Sequence, residues 1–298
     1  MGLKAKRQGA PARIASPSDA RTPSRGRLVI IGGHEQRDAE SIILQRVAKQ
    51  ADGGRLLVCT VASDEPEAMW EEYREAFGKL GVRRIAHLDI AAREEILARP
   101  PDALLKDARV VFFTGGGQLK ITTRFAGTVL CSAVERFYRN GGTVAGTSAG
   151  ASVLADTMLV SGEAESSHRI ATNLLMAPGL GFIRDVLIDQ HFAERGRIGR
   201  LLGAVAQNPR LLGLGIDEDT AVIVTRERTI SVLGSGAVYV ADAREVTYTN
   251  VAEESPERTL SIFDVRLHVL SQGDEFSLET RRPTHHFASA AENGRLQP

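Results

Sequence analysis

The stretch Gly146-Thr147-Ser148-Ala149-Gly150 decides how this chain folds, because it joins an apolar segment to a run of small residues. A G-x-S-x-G sequence in that context predicts a sharp turn from strand to helix, and the two glycines keep side chains out of the corner. Such a turn exposes the Ser148 hydroxyl at the carboxyl end of a sheet. The amide of Ala149, at a helix N-terminus, is then placed to stabilise an oxyanion. The pattern predicts that Ser148 is a nucleophile.

On both sides of this turn, short apolar runs rich in β-branched residues alternate with helical patterns. This alternation predicts an α/β fold with a mostly parallel central sheet that helices cover on both faces. The strands predicted before Ser148 are Leu28–Ile31, Leu56–Val61, Arg84–Leu88, Val110–Phe113 and Thr143–Ala145. Those predicted after it are Met158–Val160, Leu187–Asp189, Gly213–Asp217, Ala221–Val224, Thr229–Leu233 and Ala237–Val240, with one helix at Ile198–Gln207 among them.

The ends of the chain differ in composition from the rest. Residues 1–26 are rich in Arg, Lys, Ala, Pro and Ser and lack a continuous apolar core, so they predict a disordered basic tail rather than a secretory signal. Residues 280–298 predict a second, polar tail. Residues 27–279 contain neither an internal repeat nor a clear linker and predict one domain.

Composition limits the kind of partner. The 298 residues include 37 basic and 37 acidic residues, and this zero net charge, with few aromatic residues, argues against nucleic acid or an anionic membrane as partner. No apolar run is long enough to span a membrane. Cys59 and Cys131 do not form a disulfide framework and have no metal-binding neighbours. We therefore expect a cytoplasmic protein without a metal or an organic cofactor.

A serine nucleophile requires a base, and His191 is the best candidate. Asp189 and His191 lie two residues apart at the end of a predicted strand, so both side chains would project from one face. His34, which follows Gly32-Gly33 at the end of the first strand, and His168 are the alternatives. A purely structural histidine is the remaining interpretation.

The third member of a triad would be a carboxylate that orients the imidazole. Glu163 follows a predicted strand and lies between the serine and the histidine in the chain, as the acid does in α/β hydrolases. Glu165 and Asp189 compete with it. Spacing alone is equally consistent with Glu163 as a solvated loop charge.

Two further groups point to the same sheet end. Gly115-Gly116-Gly117 ends a buried strand, and the amide of Gly116 or Gly117 would complete an oxyanion hole with Ala149, while Gln118 would contact substrate. Arg195, Arg197 and Arg200 follow His191 closely. They indicate either a positive patch for a carboxylate-bearing substrate or an exposed basic helix face.

Four segments resemble the cyanophycinase family over residues 27–245: Gly115–Gln118, Gly146–Ser152, Asp189–Phe192 with the arginines that follow, and Gly215–Ala221. That family is related to aspartyl dipeptidases and has a flavodoxin-like three-layer fold. Class I glutamine amidotransferases have a related fold, in which a cysteine replaces the serine. Its members cleave cyanophycin, a polyaspartate backbone with arginines in isopeptide linkage, to β-Asp-Arg dipeptides. The resemblance implies that this chain is a serine peptidase of the same kind.

The resemblance also implies roles for residues. Ser148 would be the nucleophile, His191 the base and Glu163 the acid, while the groove would contain Gln118, Asp189, Gln190, Arg195, Arg197 and Arg200. Gly117 departs from the family, since many relatives carry aspartate there. The family implies a homodimer. An aspartyl or isoaspartyl dipeptidase with the same triad, and a non-catalytic binding protein of the same fold, remain the alternative functions.

Overall fold

The computed structural model describes residues 26–98, 100–161, 174–225, 228–253 and 259–284. The helices are α1 (Ile42–Ala51), α2 (Pro66–Lys79), α3 (Glu94–Ala98), α4 (Pro101–Leu105), α5 (Gln118–Phe125), α6 (Val129–Arg139), α7 (Ala149–Ser152) and α8 (Ile198–Gln207). The strands are β1 (Arg27–Ile31), β2 (Arg55–Cys59), β3 (Ile85–Leu88), β4 (Ala108–Phe113), β5 (Thr143–Thr147), β6 (Thr157–Ser161), β7 (Leu175–Pro178), β8 (Val186–Gln190), β9 (Leu212–Ile216), β10 (Thr220–Val224), β11 (Thr229–Gly234), β12 (Val238–Asp242), β13 (Tyr248–Thr249), β14 (Ile262–Phe263), β15 (Arg266–Leu270), β16 (Glu275–Ser277) and β17 (Arg282–Thr284).

The central sheet has nine strands in the order β17-β16-β11-β10-β1-β5-β4-β2-β3. Strands β1, β5, β4, β2 and β3 are parallel to one another, and β10, β11, β16 and β17 continue the sheet in antiparallel pairing. This arrangement confirms the prediction of a largely parallel sheet with additional C-terminal strands.

The strands that follow the serine turn do not all join this sheet. Four of them form a second sheet in the order β15-β12-β9-β8, in which β8 and β9 are parallel. Two further antiparallel strand pairs, β6-β7 and β13-β14, lie outside both sheets. Because the apolar pattern of a buried strand is the same in either sheet, the sequence alone does not separate the two.

Apolar packing defines the layers. Helices α1 and α2 cover one face of the central sheet, with Leu44 and Phe77 buried against Val58 and Phe112. The other face packs on α5, α6, α7 and the second sheet, in a core that contains Phe113, Val144 and Ile188. Helix α8 covers the far face of the second sheet. The second sheet therefore lies between the central sheet and α8.

Local signals explain the helix that leads to the serine turn. The Thr128 hydroxyl accepts a hydrogen bond from the Cys131 amide at 3.1 Å and caps the start of α6. At the other end, the amide of Gly142 donates to the Phe137 carbonyl, and a Cβ on Gly142 would lie 2.3 Å from the Phe137 ring. The sequence Asn140-Gly141-Gly142, typical of a helix end and turn, therefore ends α6 and leads into β5.

Two boundaries differ from those predicted. Helix α5 begins at Gln118, directly after the glycine run, and is not among the elements predicted from the sequence. Strand β17 pairs with β16, so the sheet continues past the predicted domain end at residue 279. Both elements are short, and short elements give too few periods for a pattern to emerge.

Among the described residues, no helix combines the length and the apolar character needed to cross a membrane.

The fold predicts opposite outcomes for two glycine-to-alanine changes. A Cβ on Gly150 would lie 2.2 Å from the Phe113 carbonyl oxygen, which is backbone and cannot swing aside, so Gly150→Ala should destabilise the protein by about 1–3 kcal/mol. In α8, a Cβ on Gly203 would meet its nearest neighbour, Leu174 Cδ2, at 3.8 Å. Alanine is also the better helix former, so Gly203→Ala should be neutral or stabilising by up to about 1 kcal/mol. Urea unfolding of both variants measures the difference, and equal effects would contradict this packing.

Candidate active site

Ser148 lies between β5 and α7 in a conformation that few side chains adopt. Its φ is 53° and its ψ is −115°, and its amide donates to the Ile31 carbonyl at 3.0 Å. A residue in this region of backbone space costs about 1–3 kcal/mol unless its surroundings hold it there. Gly146 and Gly150 make the tight corner possible, since a Cβ on Gly146 would lie 2.2 Å from the Gly150 carbonyl oxygen. The sequence prediction of a sharp strand-to-helix turn at Ser148 agrees with this geometry.

His191 follows β8 and faces the serine. Its Nε2 lies 2.9 Å from Ser148 Oγ, and its side chain is only 4% exposed. The His191 backbone also has a positive φ, 48°, and its amide donates to the Gly32 carbonyl at 2.9 Å. This hydrogen bond fixes the imidazole at the end of β1, within proton-transfer distance of the hydroxyl.

Glu218, two residues after β9, supplies the carboxylate on the other side of the ring. Its Oε1 lies 2.6 Å from His191 Nδ1, and its Oε2 lies 2.9 Å from His34 Nδ1. A carboxylate at Nδ1 favours the tautomer that carries a proton there. Nε2 then presents its lone pair to Ser148, which is the arrangement that a general base requires.

The site forms where two sheets meet at Gly32-Gly33. The Gly32 amide donates to the Thr220 carbonyl at 2.8 Å, and the Asp219 amide donates to the Gly33 carbonyl at 2.9 Å. A Cβ on Gly32 would lie 1.9 Å from the Asp217 carbonyl oxygen, and one on Gly33 would lie 2.3 Å from the His191 ring. Only glycines allow this approach, which brings the carboxyl ends of β1, β5, β8 and β9 together.

A buried carboxylate, that of Glu35, forms a hydrogen bond with the residue that precedes Ser148. Glu35 is 3% exposed and accepts hydrogen bonds from the Thr147 hydroxyl at 2.6 Å and from the Tyr73 hydroxyl. Arg37 donates to the same tyrosine at 3.2 Å and lies over its ring. This network links the residue before Ser148 to α2. Sequence reasoning missed Glu35, because a single glutamate after a strand end carries no signal of its partners.

Asp189 and two of the predicted groove arginines form a buried group instead of an open patch. Asp189 is completely buried, and its carboxylate lies 3.1 Å from Arg197 Nη1 and 3.0 Å from Arg200 Nε. Burial raises the pKa of Asp189, whereas Arg200 and Arg197 lower it. The guanidinium of Arg197 also contacts Gln190, both at its carbonyl and at Oε1. Every residue of β8 is buried, so a carboxylate on this strand requires such partners.

The expectation of a three-arginine surface therefore needs correction. Arg197 and Arg200 are 8% and 7% exposed, respectively, and Arg195 is the exposed member of the three. Arg197 and Arg200, three positions apart, share one face, and that face points inward to Asp189. These two arginines support the strand end that carries Gln190 and His191.

The glycine run passes close to Ser148. A Cβ on Gly115 would lie 3.3 Å from Ser148 Cβ and 3.7 Å from Oγ, so the backbone of β4's end passes beside the serine. The Gly117 amide donates a hydrogen bond to the Ala62 carbonyl at 2.8 Å. Gly116 has a φ of 133°, and Ala149 opens α7, where a first-turn amide has no intrahelical acceptor. The Gln118 side-chain amide donates to the Leu159 carbonyl at 2.7 Å and holds β6 beside this loop.

Three residues considered from the sequence, Glu163, Glu165 and His168, lie outside the described residues. The acids predicted from the sequence, Glu163, Glu165 and Asp189, all lie between Ser148 and His191 in the chain, whereas Glu218 follows both. A useful signal was nonetheless present, because Asp217-Glu218 follows a predicted strand end and lies in one of the four segments that carry the family resemblance.

Comparison with known proteins points in one direction. The model of peptidase family S51 matches residues 28–232. A cyanophycinase from Synechococcus elongatus is 36% identical over 281 residues, which cover 91% of this chain and 85% of the relative. A cyanophycinase from Nostoc sp. is 36% identical over 282 residues, which cover 93% and 94%, respectively.

Among solved structures, a peptidase from an acI-B1 Actinobacterium superimposes with a TM-score of 0.62 at 22% sequence identity. The match covers 85% of this chain and 96% of that one. At this level of identity the likeness concerns the fold. It supports the α/β architecture described above.

The electrostatics of the imidazole give a testable prediction. Burial lowers the pKa of His191 below its ordinary value of about 6.5, Arg195 and His34 lower it further, and Glu218 raises it. The neutral, proton-accepting form therefore persists to lower pH than in a free histidine. Arg195→Gln removes a positive charge and should raise the pKa of His191, so that the imidazole becomes protonated at a higher pH.

NMR titration of the His191 ring measures this shift. Arg84→Gln is the matched control, because Arg84 lies just before β3, at the opposite end of the parallel strands, and pairs with Asp107. A His191 pKa that is unchanged or lower in Arg195→Gln would contradict the proposed electrostatics.

Proposed function

The chain belongs to peptidase family S51 and is a serine-type peptidase, and on that premise we propose that it hydrolyses cyanophycin to β-Asp-Arg dipeptides. The observation that carries the proposal is the chain of contacts from Ser148 Oγ through His191 to Glu218, at 2.9 and 2.6 Å. The curated relatives named above are cyanophycinases and align over more than nine-tenths of this chain.

In the proposed reaction, Ser148 Oγ attacks a backbone amide carbonyl of the polymer while His191 Nε2 accepts the hydroxyl proton. Glu218 stabilises the imidazolium that results. The amides of Ala149 and Gly116 hold the developing oxyanion. His191 then gives the proton to the leaving amine as the amide C–N bond breaks. A water molecule next attacks the acyl-enzyme ester while His191 Nε2 accepts its proton, and His191 passes that proton to Ser148 Oγ as the ester bond breaks.

We assign the acid role to Glu218. The 2.6 Å contact with Nδ1 supports this assignment, and so does the pKa of Glu218, which hydrogen bonds from His191 and His34 lower despite partial burial. A carboxylate with a low pKa stays ionised over the range in which His191 acts as a base. Glu163, the candidate from the sequence, lies outside the described residues.

The substrate chemistry fits the surroundings of the serine. Each repeat of cyanophycin carries a guanidinium and, at the isopeptide-linked arginine, a free carboxylate. We propose that exposed Arg195 pairs with that carboxylate, while Gln118 and Gln190 donate and accept hydrogen bonds in the groove. Asp189, Arg197 and Arg200 would act by fixing Gln190 rather than by a direct charge contact, because they are buried and paired with one another.

We also propose a cytoplasmic homodimer. Support for association comes from β15, the edge strand of the second sheet, on which Leu267 and Val269 are 45% and 58% exposed. Apolar side chains on an open edge favour pairing with a second copy. Light scattering on the purified protein measures the mass of the assembly, and a monomer at micromolar concentration would contradict the dimer.

The proposed function predicts the behaviour of Ser148→Ala. Loss of the nucleophile should lower cyanophycin hydrolysis by a factor on the order of 10⁴ to 10⁶ and abolish labelling by a fluorophosphonate probe. Ser132→Ala is the matched control, because Ser132 is an exposed serine on α6. The measurement is release of β-Asp-Arg from the polymer, run beside hydrolysis of short β-aspartyl dipeptides.

Each result has a definite meaning. Polymer hydrolysis that is lost in Ser148→Ala and kept in Ser132→Ala supports a cyanophycinase. Turnover of dipeptides without polymer hydrolysis would replace it with an aspartyl dipeptidase. A wild-type protein that binds polymer, hydrolyses neither substrate and resists the probe would indicate a binding protein.

A further inference from the structure

We propose that a divalent transition-metal ion, with zinc as the type case, binds between His34, His191 and Glu218 and switches the active site off. The inhibitory part of this inference rests on the proposed function, whereas the binding part does not. Metal would be a regulator here and take no part in hydrolysis.

The spacing of the three side chains suits a metal ion. One ligand atom from each of the three side chains lies within 4.8 Å of the other two. The two oxygens of Glu218 already contact Nδ1 of His34 and Nδ1 of His191, at 2.9 and 2.6 Å. In a tetrahedral zinc site with bonds of about 2.0–2.1 Å, neighbouring ligand atoms lie roughly 3.3 Å apart. Two imidazoles and one carboxylate, with water in the fourth position, form a common zinc donor set.

An ion in solvent can reach the cluster of His34, His191 and Glu218. The His34 side chain is 70% exposed, whereas that of His191 is 4% exposed, so the cluster opens to solvent on the His34 side. The two rings meet edge to face with centroids 5.0 Å apart. His34 lies in the loop after β1, while the backbones of His191 and Glu218 lie at the junction of the two sheets.

Metal binding would change the position of the ring proton on His191. A metal binds the lone pair of a neutral imidazole nitrogen, so coordination at His191 Nδ1 requires the ring proton to reside on Nε2. Nε2 is the atom that faces Ser148 Oγ at 2.9 Å. A ring with a proton at that atom cannot accept the serine proton. The ion would also occupy the carboxylate that otherwise orients the ring, and the nucleophile would lose its base.

The other histidines of the described residues lack such a setting. His87 stacks on Trp70 and contacts the Thr60 hydroxyl at 2.7 Å, and His268 packs against Phe276. Within the described parts of the chain, His34, His191 and Glu218 are the group of three with ligand spacing. His285 and His286 lie outside these parts and are a sequence-level competitor for metal.

Zinc binding can be measured without any substrate. Tag-free full-length protein competes with a chromophoric chelator for Zn²⁺, and the variants are His34→Gln and His285→Gln/His286→Gln. We expect one ion per chain in the wild type and in the double variant. His34→Gln should weaken binding by at least about 10-fold, since loss of an outer partner alone costs that much in many zinc sites. No binding, or equal binding by His34→Gln, would overturn the proposal.

Fluorophosphonate labelling of Ser148 tests the switch. Zinc at saturation should suppress labelling of the wild type, and a chelator should restore it. His34→Gln, compared with its own labelling in the absence of metal, should lose little labelling at the same zinc concentration. Continued labelling of the zinc-loaded wild type would overturn the switch. Absence of labelling in the metal-free wild type would contradict the proposed function instead, and chelator competition would still decide the metal site.

Discussion

The hydrogen bond between the His191 amide and the Gly32 carbonyl is the constraint on which the site depends. It joins the end of β8, in the smaller sheet, to the end of β1, in the central sheet. Neither sheet alone carries all the residues of the site. Ser148 follows a strand of the central sheet, whereas Glu218 follows a strand of the smaller sheet. The imidazole is placed between them only when the two sheets are packed together, so the core between the sheets also determines the geometry of the site.

This dependence explains where glycine and buried charge occur. Gly32 and Gly33 remove side chains where the backbones cross, and the Asp217 carboxylate accepts hydrogen bonds from the amides of Ala193 and Ala237 in the adjoining loops. Asp189 lies at the same strand end as His191 and is balanced by two guanidinium groups. Removal of one member of such a buried group leaves an uncompensated charge, which costs about 3–5 kcal/mol in comparable cases. Positive backbone φ at both Ser148 and His191 shows that packing, and not local preference, sets these conformations.

Local pattern was enough to predict the parallel strands, the sharp serine turn and the position of His191 at a strand end, because each depends on a few consecutive residues. The division of the later strands into two sheets could not be predicted, since buried strands carry the same apolar pattern in either sheet. The inward orientation of Arg197 and Arg200 depends on a partner eight or more positions earlier and on the burial of all of β8. The chain order of α/β hydrolases, in which the acid precedes the histidine, does not predict Glu218, because triads of the same geometry occur in several chain orders.

The kcat of Glu218→Gln on cyanophycin is the measurement that tests the central claim most directly. An amide at this position no longer stabilises the imidazolium or enforces the Nδ1–H tautomer, so kcat should fall by a factor on the order of 10³ to 10⁴ with KM little changed. Glu245→Gln, which removes an exposed carboxylate paired with Arg266, should keep the activity of the wild type. A Glu218→Gln enzyme with kcat within a few-fold of the wild type would contradict the account and return the acid role to another carboxylate, with Glu163 the first to examine.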